Sequence, residues 1–255
     1  MSEKSSIFEG VSPKLSFIMG LIVGVGAISL VGFIVAISFS FVGGFKDKNV
    51  NSAQPVAVNN NTNNQAANQP SAPTGPVNIT LKADDYIRGT KGAPLTMVEY
   101  TDLECPYCKQ FHNSMEQLMK DYPGKIAWVY RNYPLSFHAN SQKEAEAAEC
   151  VGKLGGNDKF WQFVDGIFAR TTSNGTGFAL DKLGALAKEV GVNQTSFQSC
   201  LDSGQMSSDV STDLQEGTQY GVSGTPTTFV NGQAVEGAVP YSQLKSIVDK
   251  ILSKQ

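Results

Sequence analysis

The sequence predicts an α/β fold in which a parallel-stranded core is interrupted by a block of helices and carried behind an apolar span and a polar tether. Three observations predict it. Strand-like and helix-like stretches alternate between residues 77 and 131, helix-like stretches then follow one another from about 138 to 217, and strand signals return after Gly221. A strand–helix–strand start implies parallel strands joined by a crossover helix. Resumption of strand signals about 80 residues later marks the helical block as an insertion.

Val77–Leu81, "VNITL", alternates and carries β-branched residues, so it is read as the first strand. Leu95–Tyr100, "LTMVEY", follows the turn signal "KGAP" and is the second. A helical pattern then runs to about Asp121, with Phe111, Met115, Leu118 and Met119 on one face, and Pro123-Gly124 ends it. Ile126–Arg131, "IAWVYR", is the third strand. In the insertion, "KEAEAAECVGKL" is rich in helix formers and stops at Gly155-Gly156. "KFWQFVDGIFAR" places Phe160, Phe163, Val164, Ile167 and Phe168 on one face, a core pattern shared by Trp161 rather than a cofactor box. "ALDKLGALAKEVGV", "TSFQSCLDSG" and "DVSTDLQEGTQYG" continue the helices. "TTFV", Asn231-Gly232 and "QAVEG" form a hairpin signature. The last segment, Tyr241 to about Leu252, is an amphipathic helix with Leu244, Ile247, Val248 and Ile251 inward.

The chain has 255 residues, room for one large domain or two small ones, and 41 % hydrophobic residues suffice for a sizeable core. A net charge of −3 without a basic stripe interleaved with aromatics excludes nucleic acid as a partner. Composition is uneven. Leu15 to Phe45 holds no charged residue. That run exceeds the ~20 apolar residues of a spanning helix and the ~7–15-residue apolar core of a cleaved signal peptide. Residues 15–45 are therefore read as a transmembrane signal anchor behind a cytoplasmic tail, 1–14. Lys4 and Lys14 before the span nearly balance Lys46 and Lys48 after it, so charge alone orients it weakly. Residues 46–76 are rich in Asn, Gln, Ala, Ser and Pro, too polar to offset their ordering entropy. They are read as a flexible, disordered tether for a domain over 77–255.

The chemistry-bearing residues are in "TDLECPYCKQF", where Cys105-Pro106-Tyr107-Cys108 follows a strand and opens a helix. Such a pair serves a metal, a structural disulfide or thiol exchange. Zinc needs four ligands, usually from a second close-spaced pair. Cys150 and Cys200 are 50 residues apart and His112 and His138 are isolated, so neither a metal nor a cofactor is expected. A structural bridge closing so short a loop constrains little of the unfolded chain. A thiol at a helix N-terminus, by contrast, faces unpaired N–H groups and the positive dipole end, which favour the thiolate. Pro106 fits the first helical turn, and Cys108 shares the face of Cys105 and is placed to attack a mixed disulfide there. Downstream, "GVSGTPTTFVNG" sets Thr225-Pro226 at the head of a strand, a position that suits an edge or a cis peptide bond.

Together, "YTDLECPYC", "RNYPLSFHANS", the helical insertion and "GTPTTFVNG" resemble the thioredoxin superfamily, and more closely its DsbA-like thiol–disulfide oxidoreductases, from about Val77 onward. The resemblance implies a thioredoxin-like fold with a helical domain inserted. It implies Cys105 as exposed nucleophile, Cys108 as buried resolving thiol, and Pro106 and Tyr107 as residues that tune the pair. Pro226 is then a cis proline packed on the pair, and Thr225 a backbone contact for bound peptide. Glu99, six residues before Cys105, falls where many members keep a buried acid able to relay the Cys108 proton. Glu104 is expected to be exposed and without a role, and His138 to lie at the surface or cap the insertion. Some relatives carry an extra bridge in the helical domain, which implies a structural disulfide between Cys150 and Cys200, with reduced buried thiols as the alternative.

A dithiol oxidant has little use in a reducing cytosol. With the anchor, this puts the domain outside the cytoplasmic membrane and the N-terminus inside. The expected reaction partners are exported proteins with free cysteines or disulfides, and a quinone-linked membrane protein for reoxidation. The Pro-Tyr dipeptide also occurs in reductive members and leaves the direction open. Isomerases of the superfamily usually carry a folded N-terminal dimerisation domain, whereas this chain has an anchor and tether. An oxidase is therefore expected ahead of a reductase or isomerase, and ahead of a non-catalytic peptide-binding module.

Overall fold

The computed structural model describes residues 75–172 and 177–254. The tail, the anchor and nearly all of the tether lie outside these residues. Among the described residues, no helix is long and apolar enough to cross a membrane. In chain order the elements are β1 (Ile87–Gly89), β2 (Leu95–Thr101), α1 (Pro106–Asp121), β3 (Ile126–Asn132), α2 (Ser141–Gly155) and α3 (Asn157–Arg170). A 3-10 turn (Leu180–Lys182) leads into α4 (Leu183–Glu189), then α5 (Gln194–Ser203) and α6 (Ser207–Gln219). The chain finishes with β4 (Thr227–Val230), β5 (Gln233–Glu236) and α7 (Tyr241–Leu252).

The sheet order is β1-β3-β2-β4-β5. β2 and β3 are parallel with α1 crossing between them, as the strand–helix–strand reading requires. β4 runs antiparallel to β2, with Glu99 opposite Thr228 and Tyr100 opposite Thr227. The β4–β5 hairpin turns at Asn231-Gly232, both at positive φ (47° and 86°), which Asn and Gly adopt at least cost.

Strand periodicity decides what lies under the cysteine loop. On β2, Leu95 and Met97 join the large cluster with α1 and the inserted helices, while Val98 and Tyr100 face a smaller cluster with Val129, Tyr133, Val222 and Phe229. Side chains alternate along a strand, so Glu99 shares the face of Leu95 and Met97, beneath α1. The aromatic face of α3 is core as expected, with Phe160, Trp161, Phe163, Val164, Ile167 and Phe168 all buried.

The expected first strand is corrected. Val77, Ile79 and Leu81 do alternate towards the smaller cluster, but the segment pairs with no strand and makes a single backbone bond from Val77 to the Gly232 carbonyl. Its alternation records burial against a sheet face, not membership of the sheet. The edge strand is instead β1, antiparallel to β3, a three-residue piece too short to carry a pattern.

Candidate active site

Cys105 is the residue from which α1 starts, with extended backbone (φ −73°, ψ 123°), and Pro106 occupies the first helical turn. There the helix leaves N–H groups without intrahelical partners. Both cysteines are free thiols. The sheet register brings Thr225-Pro226 to them from 120 residues away: β4 begins beside Tyr100, and the peptide just before it is cis and lies over Cys105. Cys105 Sγ is 3.5 Å from the Thr225 carbonyl oxygen, and the Pro226 carbonyl is itself held by the Gly237 N–H at 2.8 Å. The Cys105 thiol is drawn down to about 6, foremost by hydrogen bonding from Cys108, with Thr225 and the backbone N–H groups of Cys108 and Tyr107 adding to it against the opposing effect of burial. Cys108 is pushed the other way, by burial first and by its neighbour's negative charge. The Asp102 N–H points at Cys108 Sγ from 3.5 Å. One sulfur is thus a favoured thiolate and the other a buried thiol.

Comparison with known proteins fits this geometry. The family model described as thioredoxin matches residues 82–250. The chain belongs to the thioredoxin family. Within it, the described domain has the DsbA-like thiol–disulfide oxidoreductase fold. Oxidised BdbD from Bacillus subtilis superposes with a TM-score of 0.62 at 27 % identity, covering 72 % of this chain and 99 % of that one. DsbA2 from Pseudomonas aeruginosa gives a TM-score of 0.55 at 26 % identity, covering 68 % of this chain and 97 % of its own. Among curated sequences, a Na(+)/H(+) antiporter NhaA 1 of Salinispora arenicola is 34 % identical over 165 residues, 64 % of this chain and 24 % of the antiporter. The chain thus spans about a quarter of the length of the curated relatives it matches.

Several expected positions around the thioredoxin-family pair need correction. Cys105, an exposed nucleophile by resemblance, has only 3 % of its surface free, because the Thr225-Pro226 segment covers it. Tyr107, between the cysteines, is instead 63 % exposed, and its contribution to the Cys105 thiolate comes from its backbone N–H. Glu104 is not a screened surface charge. It is fully buried, and its Oε2 accepts the Asn140 N–H at 2.7 Å. His138 is half-buried, with its side chain turned inward: Nδ1 is 2.8 Å from Asp102 Oδ2, which also accepts the Leu135 N–H. Asp102 Oδ1 accepts the Glu104 N–H at 2.8 Å, so one buried carboxylate clasps the cysteine turn to the 135–140 loop. Sequence reasoning missed Asp102 altogether. The signal was its place at the head of a buried turn, where Asp closes its own backbone.

Glu99 is buried beneath the pair, and Trp128 Nε1–H donates to its Oε2 at 2.8 Å. Burial raises its carboxyl, the charge of His112 foremost opposes this, and Cys105 adds to the rise. Glu99 and the cysteine pair therefore share one electrostatic environment. Cys150 of α2 and Cys200 of α5 form a disulfide, with Cα atoms 5.9 Å apart, closing the insertion on itself.

Proposed function

We propose that the protein is an extracytoplasmic thiol–disulfide oxidase, anchored as a single-pass membrane protein by residues 15–45, that passes disulfides from Cys105/Cys108 to exported proteins. The observation that carries this reading is the depressed Cys105 thiol beside a raised Cys108 thiol. A stabilised Cys105 thiolate favours the reduced pair, and whatever stabilises the reduced pair makes its disulfide a stronger oxidant. A substrate thiolate attacks Cys105 Sγ of the enzyme disulfide, and Cys108 leaves. A second substrate thiol then attacks the mixed disulfide, and Cys105 leaves as the thiolate. Two electrons pass to the enzyme, which a quinone-linked membrane partner removes. The exposed aromatics Tyr107 (63 %) and Phe137 (74 %), one between the cysteines and the other on the loop clasped to their turn, offer an apolar rim for unfolded peptide. The Cys150–Cys200 disulfide is consistent with a compartment where such bonds persist. Antiport is not carried over, since the shared stretch is about a quarter of those relatives.

The reduction potential of the Cys105/Cys108 couple, equilibrated against glutathione, tests the direction. A value near the roughly −120 mV of strongly oxidising relatives is expected, and one near roughly −270 mV makes the protein a reductase instead.

A further inference from the structure

A buried cluster on the second turn of α1 links the cysteine pair to the surface. His112 lies on the buried face of α1, its ring 5.1 Å from that of Trp128 and 4.7 Å from that of Phe168. Its Nε2 is 2.8 Å from Asp165 Oδ1 on α3, whose side chain is 36 % exposed. Asp165 also accepts from Arg88 of β1 at 2.7 Å, and the Arg88 guanidinium stands 3.8 Å from Glu116 and stacks over Trp161. Ligand-type atoms of His112, Glu116 and Asp165 lie within 4.8 Å of one another, but Arg88 already serves both carboxylates, and a metal ion would have to displace it. Burial raises the Asp165 carboxyl, yet the hydrogen bonds from His112 and Arg88 outweigh it and hold the group below its usual range. An ionised carboxylate only accepts, so Nε2 carries the hydrogen that it gives to Asp165. Trp128 touches both ends of the arrangement, giving its indole hydrogen to Glu99 and its ring to His112. Glu99 Oε1 has no hydrogen-bond partner among the described residues.

We propose that His112, fixed by Asp165, is a positioning residue for the cysteine-pair reaction: as imidazolium it supplies the positive charge that lets buried Glu99 ionise and accept the Cys108 proton. The inference rests on reading Cys105/Cys108 as a thiol-exchange pair. When Cys108 resolves a mixed disulfide, its proton passes to a Glu99 oxygen and its sulfur bonds to Cys105. The Cys105–substrate bond breaks, and the substrate leaves as thiolate. In the oxidising direction the same proton returns from Glu99 to the departing Cys108. The charged groups facing His112 are Glu99 from β2, Arg88 from β1, Glu116 from its own helix and Asp165 from α3. Arg88 is a permanent cation tied to Asp165, and the positive charge acting on Glu99 is that of His112.

The test is a carbon-13 NMR titration of the Glu99 carboxyl in the reduced full chain, for wild type, His112→Gln and Asp165→Asn. His112→Gln is expected to raise the proton affinity of Glu99 about tenfold, one pH unit, and Asp165→Asn to raise it by less. The acid limb of the rate of exchange with glutathione disulfide moves up by the same amount, and His112→Gln adds no shift in a Glu99→Gln background. A Glu99 midpoint unmoved or lowered in both variants overturns the proposal, as does an equal shift of the rate profile in the Glu99→Gln background. If His112→Gln does not fold, Asp165→Asn decides by the same criteria. A wild type that fails to exchange thiols while the titration shift is present sinks the thiol-exchange reading and leaves the His112–Glu99 coupling standing.

Discussion

The Cys105 thiolate has a named cause, and that cause can be removed. Cys108→Ala deletes the hydrogen-bonding thiol that contributes most to holding Cys105 at about 6, while burial, which opposes ionisation, stays. The Cys105 thiol then rises to about 8.5, the ordinary thiol value, with burial offsetting what Thr225 and the backbone N–H groups still contribute. At pH 7 the thiolate fraction falls from ~90 % to ~3 %, about thirtyfold. A more basic thiolate is also a better nucleophile, and with a Brønsted slope of about 0.4–0.5 the 2.5-unit rise returns roughly tenfold of that loss. The net effect on attack at a small aromatic disulfide is only about two- to threefold at pH 7, too little to decide. At pH 5.5 the thiolate fraction falls about 200-fold and the net rate about twentyfold, so that is where to measure. The decisive readout is thiolate absorbance at 240 nm against pH, for wild type, Cys108→Ala and Cys108→Ser, whose hydroxyl keeps a donor. A Cys108→Ala midpoint still near 6 would refute the argument and assign the thiolate to the helix N-terminus alone.

Three further outcomes follow from the same structure. Glu144 is raised to about 8, by burial first and then by the charge of Glu104. Between the unfolded value of about 4.3 and about 8 the folded state holds a proton that the unfolded state has lost, so stability falls as pH rises through that window. Glu144→Gln should match wild type in urea unfolding at pH 5 and exceed it by a few kcal/mol at pH 8.5, and a difference independent of pH counts against this. Arg131 is buried with Nε 2.7 Å from Asp85 and Nη1 2.6 Å from Glu216. Arg131→Met leaves the buried Asp85 carboxylate without its cation, while Lys82 still pairs with Glu216 at 2.8 Å, and should cost about 3–5 kcal/mol in the same assay, against no loss if the network is dispensable. Replacing Cys150 and Cys200 together by Ala opens a loop of 50 residues and should lower unfolding stability by about 4 kcal/mol. Exchange rates at Cys105 should stay within twofold, and a larger change would tie the insertion's bridge to the chemistry.

Local rules make much of this protein legible in its amino-acid order. A strand delivering "CPYC" to a helix start, "TP" opening a later strand and "NG" between two short β runs are short-range patterns whose physics is complete within a few residues. They locate β2, α1, the hairpin and the candidate cysteine pair, and the periodicity of "KFWQFVDGIFAR" locates a core helix. What they cannot locate depends on partners far along the chain. Glu104 looks exposed until Asn140, 36 residues on, donates to it, and His138 looks peripheral until Asp102 receives its Nδ1. His112 is an isolated histidine in sequence, although its i+4 spacing from Cys108 already puts it on the buried face of α1. Only the packing of α3 against α1 gives it Asp165, and only the register of β2 on β3 sets Trp128 beside Glu99. Amino-acid order alone singles out the candidate thiol pair, because two cysteines at a helix start are a local device. How the pair is covered and charged depends on the folded chain, because burial and long-range hydrogen bonds are properties of neighbours brought together only on folding.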